Sequence, residues 1–413
     1  MSQASAETVV ITGNEAAAKA AKLARVQVIA AYPITPQTSV VEQLSAWVES
    51  GEMDAEFVAV ESEHSALTVC IGASTVGARA FTATSANGLA YMTEQVWWAA
   101  GARLPIVMCI VNRAMAAPWN VLNDQQDSMS VRDAGWIQLY CRDNQEILDT
   151  TVQAYRIAEK LHVPVMVCYD GFLLSHTVMP VEIPAAETVD AFLPPFDEPF
   201  TIVDTADPRN IGPVTLADPR DDAAGVTRPG YMEIRSLHNR ALLDALDLIP
   251  EVDAEWANAT GRSWGGLTWE YALDDAEVVL VAAGSIGMQL TVTVDELRAK
   301  GVRVGVLGVR AYRPFPAVAL RDKLAGTKLA LVFDKAMSYG YGGPICNDLR
   351  AALLSSHNPP AVFGAICGLG GRDVTPAHLA ETVTRAIADF DDGVRERADE
   401  WVNLHLTGEG DAS

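Results

Sequence analysis

Apolar segments of strand length alternate with helix-period segments over residues 1–180, the pattern of a parallel α/β domain. "EAAAKAAKLA" predicts a helix and "VQVIAAYP" a buried strand. In "QTSVVEQLSAW", Val40, Val41, Leu44 and Trp47 share one helical face. A strand in "EFVAVES", a helix in "EHSALTVCIGAS" and a strand in "ARAFTATS" follow, then an aromatic-rich helix through Trp97 and Trp98. "PIVMCIV" is a continuous apolar run, as suits a strand covered on both faces. A helix around "ILDTTVQAYRIAEKL" leads into "VPVMVCYDG", the last strand of this unit.

The pattern then breaks. Residues 181–272 read as an extended connector rich in Pro, Asp and Gly, with a helix around Asn239–Asn258. Alternation returns over residues 273–392 in "VVLVAAGS", a helix to Lys300, "VRVGVLGVRA", "LALVFDK", a helix near Leu349 and "VFGAICGLGG". This predicts a second, smaller α/β domain closed by the helix "AHLAETVTRAIADF", with a tail at 393–413.

Composition narrows the function classes. At 413 residues, 49 % of them hydrophobic, the chain has material for more than one globular core. A formal charge of -23 argues against nucleic acid, whose phosphates require clustered Lys and Arg. "MSQASAETVV" has no basic stretch followed by an apolar one, and no apolar run reaches the roughly 18–20 residues of a membrane span. Both point to the cytoplasm and away from membrane insertion. Cys70, Cys109, Cys141, Cys168, Cys346 and Cys367 form no C-x-x-C pair, so they read as reduced core thiols and not as zinc or cluster ligands. Electrons, if handled, leave through another chain.

Candidate chemistry gathers where strands meet helices. "AAGSIG" and "GLGGRD" match neither the dinucleotide fingerprint nor the P-loop and read as tight packing turns. In "YPITPQTS", Pro36 suits the first turn of a helix, which puts Thr35 at the N-cap, facing the C-terminal edge of the sheet where ligands bind. It is either a plain cap or a ligand contact. "VESEHSA" sets Glu61, Glu63 and His64 at another such junction. Either the carboxylates complement the helix dipole, or one is desolvated and works as an acid/base with its pKa raised. Arg113, ending the apolar run, is either an ion-pair partner of Asp124, Asp127 or Asp133, or a fork for a ligand carboxylate.

These stretches, with "GNEAAAKA", "AAYPITPQT", "RLPIVM", "NRA", "RDAGWIQLY", "YDGF", "YRPFP" and "GLGGRDVTP" in this order, resemble the alpha subunit of the 2-oxoacid:ferredoxin oxidoreductases, the pyruvate:ferredoxin oxidoreductase family. The phenylglyoxylate:acceptor enzymes are among its relatives. The resemblance spans nearly the whole chain. It implies a pyrimidine-type thiamine-diphosphate-binding parallel α/β domain and a second one like the transketolase C-terminal domain. The implied activity is oxidative decarboxylation of a 2-oxoacid, with acyl transfer to coenzyme A. A beta subunit would hold the diphosphate and its Mg2+, and no metal falls to this chain. Gamma and delta subunits would carry [4Fe-4S] clusters toward ferredoxin or a flavin/NAD subunit. By the resemblance, Glu63 is the catalytic carboxylate that hydrogen-bonds the aminopyrimidine ring. Tyr32, Pro33, Ile34 and Asn87 lie beside the cofactor, and Thr35 and Arg113 hold the substrate carboxylate.

The chain departs from the pyruvate-specific pattern in three places. "DQQD" (Asp124–Asp127) replaces Asp-His-x-Asp, Trp119 stands near a small or branched residue's place, and Ala86-Asn87-Gly88 replaces "SQG". Trp119 and Gln125 are therefore assigned to the acyl pocket, with phenylglyoxylate as the favoured substrate and pyruvate next. Trp119 as core or interface packing is the other reading. A non-catalytic assembly subunit and a transketolase-like decarboxylase without electron transfer are the alternatives in function.

Overall fold

Two largely parallel sheets organise the chain in a computed structural model that describes residues 7–196, 216–221, 225 and 227–406. The first unit runs β1 (Glu7–Ile11), α1 (Gly13–Leu23), β2 (Val28–Ala31), α2 (Thr38–Glu49), β3 (Glu56–Ala59), α3 (Glu63–Thr75), β4 (Ala80–Thr84), α4 (Ala86–Tyr91) and α5 (Thr93–Gly101). It continues through β5 (Val107–Asn112), α6 (Gln126–Ser130), β6 (Ile137–Tyr140), α7 (Asn144–Leu161), β7 (Val165–Asp170), β8 (Met179–Ile183) and α8 (Ala186–Phe192). Between the units lie β9 (Arg220–Asp221), β10 (Thr227–Arg228) and the long α9 (Tyr231–Thr260). The second unit holds β11 (Thr268–Tyr271), β12 (Val278–Ala282), α10 (Ser285–Arg298), β13 (Val304–Val309), β14 (Ala311–Arg313) and α11 (Ala317–Lys323). It ends with β15 (Leu329–Asp334), α12 (Pro344–Leu353), β16 (Ala361–Ile366), α13 (Pro376–Asp391) and β17 (Glu400–Trp401).

All six residues of β5 are buried, as a continuous apolar run in a doubly covered sheet requires. The first sheet has the order β14-β6-β7-β5-β4-β2-β3, parallel except where β14 pairs antiparallel with β6. Because β3 and β4 flank β2, the strand order reverses there, and the loops after β2, β4 and β5 converge over one crevice. The second sheet runs β11-β13-β12-β15-β16-β17, with β11 its antiparallel member.

The units share a core. Met129, Tyr140 and Met166 of the first pack in one buried cluster with Val281, Leu307, Val309 and Tyr312 of the second. Within the span read as connector, β8 pairs antiparallel with β1, and the helix around Asn239–Asn258 extends to Tyr231–Thr260. Residues 197–215, 222–224 and 226 of that span, and 407–413 of the tail, lie outside the described residues.

Candidate active site

Arg113 is the first residue beyond β5 and only 2 % exposed. Its backbone N–H donates to Asp127 Oδ2 at 3.0 Å, and the same fully buried carboxylate accepts from Ala86 N (2.9 Å), Asn112 Nδ2 (2.7 Å) and Ser128 N (2.8 Å). Asp127 therefore ties the end of β5 to the start of α4. Burial pushes its pKa up to about 7, against the pull of these donors. The guanidinium Nη1 donates to the Thr35 carbonyl at 2.7 Å and Nε to the Asn120 carbonyl at 3.2 Å, with the group 4.9 Å over the Trp119 ring. Among the described residues it forms no salt bridge, so the side chain is not the ion-pair partner of Asp124, Asp127 or Asp133. Two carbonyls and a ring hold the fork, and Nη2 is left without a partner among the described residues.

The loop after β2 departs from the expected cap. Helix α2 begins at Thr38 with Gln37 at the N-cap, and Gln37 Nε2 donates back to the Tyr32 carbonyl at 2.8 Å. Thr35 lies before the helix because Pro36 is claimed by packing: its carbonyl accepts from Asn14 Nδ2 at 2.7 Å, and a Cβ on Gly171 would meet its ring at 2.7 Å. Tyr32, Pro33 and Thr35 are left exposed and Ile34 half-buried on the crevice side.

At the start of α3 the two carboxylates separate. Ser62 is the N-cap, its hydroxyl accepting from Ser65 N at 3.2 Å. Glu61 is exposed, and the Ser65 hydroxyl draws its pKa below the ordinary carboxylate value. Glu63, the first residue of the helix, is 8 % exposed and has no hydrogen-bond or ion-pair partner among the described residues. Behind it, a Cβ on Gly88 would sit 2.6 Å from Thr84 Oγ1 and 2.7 Å from Glu63 Oε1. The Thr84 hydroxyl is buried and itself unpaired. Asn87 is exposed, its Oδ1 accepting from Ala116 N at 3.0 Å, which ties α4 to the loop beyond Arg113.

Trp119 is 75 % exposed and caps the guanidinium. Gln125 goes elsewhere: it is buried against the second unit, its Nε2 donating to the Ala283 carbonyl at 3.2 Å. Sequence reasoning named Gly88 only within Ala86-Asn87-Gly88, and did not single out Thr84 or the buried Lys335, whose Nζ bonds Asp170 Oδ1 and Asn123 Oδ1, each at 3.0 Å. A lysine directly after the apolar run "LALVFD" was the available signal for the last. A cavity of about 830 Å3 lined by Lys19, Lys22, Arg25, Trp47 and Arg79 lies by the N-terminal ends of β2 and β4, at the opposite edge from Arg113.

Residues 19–241 match the family described as pyruvate flavodoxin/ferredoxin oxidoreductase, thiamine diP-bdg. The pyruvate synthase subunit PorA of Methanothermobacter thermautotrophicus is 45 % identical over 397 residues, 96 % of this chain and 98 % of that one. The chain belongs to the alpha-subunit family of the 2-oxoacid:ferredoxin oxidoreductases. Members similar to it differ in their named substrate. The ketoisovalerate oxidoreductase subunit VorA of Pyrococcus abyssi is 42 % identical over 398 residues, 96 % of this chain and 97 % of that one. Residues 276–379 match the pyruvate:ferredoxin oxidoreductase core domain II. Among solved structures, a 2-oxoglutarate:ferredoxin oxidoreductase from Magnetococcus marinus superposes with a TM-score of 0.69 at 20 % identity, over 92 % of this chain and 65 % of that one. That likeness is one of fold.

Proposed function

We propose that this chain is the pyrimidine-side subunit of a complex that oxidatively decarboxylates a 2-oxoacid and delivers the acyl group to coenzyme A. The observation that carries it is that the same edge of the sheet presents a carboxylate without a partner among the described residues, Glu63 beyond β3, and a carbonyl-anchored guanidinium, Arg113 beyond β5. The residues fit the aminopyrimidine end of thiamine diphosphate. Glu63, 8 % exposed, has no partner among the described residues, the Thr84 hydroxyl is buried and unpaired, and Gly88 leaves the room that a side chain would fill. When bound, thiamine diphosphate supplies the carbon nucleophile for the 2-oxo carbonyl and the electron sink for loss of carbon dioxide.

Glu63 would take and return a proton at its carboxylate oxygens, Asn87 and the Tyr32–Ile34 backbone would flank the ring, and Arg113 with Thr35 would hold the substrate carboxylate. A guanidinium already fixed by two carbonyls orients an incoming carboxylate with little further loss of freedom. Its role is orientation, because a grip equally strong in the ground state does not speed the step. In this reading a beta subunit holds the diphosphate and Mg2+. Iron–sulfur subunits take the electrons, in keeping with six buried cysteines that form no C-x-x-C pair in this chain. No helix among the described residues is long and apolar enough to cross a membrane.

The relatives' names support a small aliphatic 2-oxoacid, pyruvate or 2-oxoisovalerate, as substrate. Trp119 stacked on Arg113 supports a second reading, an aromatic acyl group as in phenylglyoxylate. The test is coenzyme A-dependent reduction of a low-potential acceptor by the assembled complex with pyruvate, 2-oxoisovalerate, 2-oxoglutarate and phenylglyoxylate. Preference for either of the first two is expected, preference for phenylglyoxylate establishes the second reading, and turnover of none overturns both.

A further inference from the structure

We propose that the glycine turn Gly368–Gly371 of the second unit is a positioning device for Arg113, acting through Asn120. The inference rests on the reading of Arg113 as the carboxylate-binding residue and goes beyond it by naming what sets that residue's place. Asn120 faces both ways. Its carbonyl accepts from Arg113 Nε at 3.2 Å, while its side-chain Nδ2 donates to the Gly370 carbonyl at 2.9 Å and its Oδ1 accepts from Leu122 N at 2.7 Å. The turn answers with its own N–H groups. Gly370 N donates to Asp124 Oδ2 at 3.0 Å and Gly371 N to the Asn123 carbonyl at 2.7 Å.

Three hydrogen bonds between main chain and loop thus lock residues 120–124 onto the second unit. Both of those N–H groups are spent on the loop, so neither is left to cradle a phosphate. The glycines are needed for this approach: Gly370 and Gly371 have φ of 57° and 74°, and a Cβ would come within 2.5 Å of Asn120 Nδ2 and 2.4 Å of Leu122 Cβ respectively. Lys335 braces the loop from behind. It reaches Asn123 and Asp170, and Asp170 also accepts from the Ser285 hydroxyl across the units. The second unit therefore fixes the loop on which the guanidinium leans.

The test uses the assembled complex with Asn120→Asp, Arg113→Lys and the double variant. Asn120→Asp keeps size and the Leu122 acceptor but turns an oxygen toward the Gly370 carbonyl. The KM for the 2-oxoacid and the inhibition constant of oxamate, an unreactive isostere, are expected to rise together about tenfold, since a small misplacement of an orienting group costs that much or more. Turnover at saturation is expected to fall with them, as the loss of an orienting contact requires, whereas KM for coenzyme A and affinity for thiamine diphosphate are expected to stay as in the parent. In the Arg113→Lys background, Asn120→Asp should add nothing, because the bond it tunes is gone. An unchanged oxamate constant, equal losses in every parameter, or additive losses in the double variant would overturn the inference. An Arg113→Lys variant with unchanged KM would instead overturn the reading of Arg113. If Asn120→Asp fails to assemble, Gly370→Ala disturbs the same bond from the other side and is judged by the same outcomes.

Discussion

Glu61 and Glu63 stand two positions apart and meet opposite environments, because a helix begins between them. Ser62 caps the helix and leaves Glu61 outside, where the Ser65 hydroxyl lowers its pKa, while Glu63 is turned in against Gly88. The residues of "VESEHSA" left open whether one of the two is buried, and only the family resemblance singled out Glu63, since the choice depends on the capping geometry. Thr35 shows the converse. Its N-cap assignment followed from Pro36 at a first turn, but Pro36 packs on Gly171, more than a hundred positions along the chain, and that contact is invisible to local pattern. The same logic gives a prediction. Gly88→Ala puts a methyl group against Glu63 Oε1 and Thr84 Oγ1, so thiamine diphosphate affinity should fall about tenfold through displacement of a pre-set group, as measured by cofactor titration of the assembled complex. Unchanged affinity would mean that the Glu63 carboxylate does not depend on this glycine.

Among elements, the long-period signals were readable and the short ones were not. β5 announced itself as an unbroken apolar run and α2 as a stripe, whereas β6 is four residues, and β14 is three residues borrowed from the second unit to close the first sheet. Only tertiary pairing defines such strands. The borrowed strand is held in place by Arg310, just ahead of it and fully buried. Arg310 bonds Glu146 Oε1 at 3.1 Å, Thr150 Oγ1 at 2.9 Å and Gln153 Oε1 at 2.8 Å on α7, and the Gly266 carbonyl at 2.9 Å. Arg310→Met leaves the Glu146 charge buried with Arg142 alone to offset it. A loss of about 3–5 kcal/mol is expected, read from the shift of the urea midpoint at constant slope. A loss under about 1 kcal/mol would mean that the units are held by their shared core and not by this network.

For the whole molecule, the charge of -23 weights the pH response toward carboxylates. Burial pushes Asp127 and Asp334 up to about 7, the latter despite N–H donors from Ile345 and Cys346 at the start of α12. In the unfolded chain such groups titrate near about 4. The folded state then holds protons that the unfolded state releases, so their favourable contribution is full below about pH 4 and is lost as pH rises through about 7. Asp334→Asn removes one of these groups. Its thermal midpoint relative to the parent should move in the variant's favour between pH 5 and pH 8; a difference independent of pH would contradict the assignment.

The second unit shares a core with the first and, on the proposal above, braces the Arg113 loop. The central claim, that Glu63 is the working carboxylate of the crevice, is tested most directly by Glu63→Gln in the assembled complex. The account predicts intact assembly with turnover of the preferred 2-oxoacid reduced at least about 100-fold, the scale of a lost proton-transfer group. Turnover equal to that of the parent complex would contradict it.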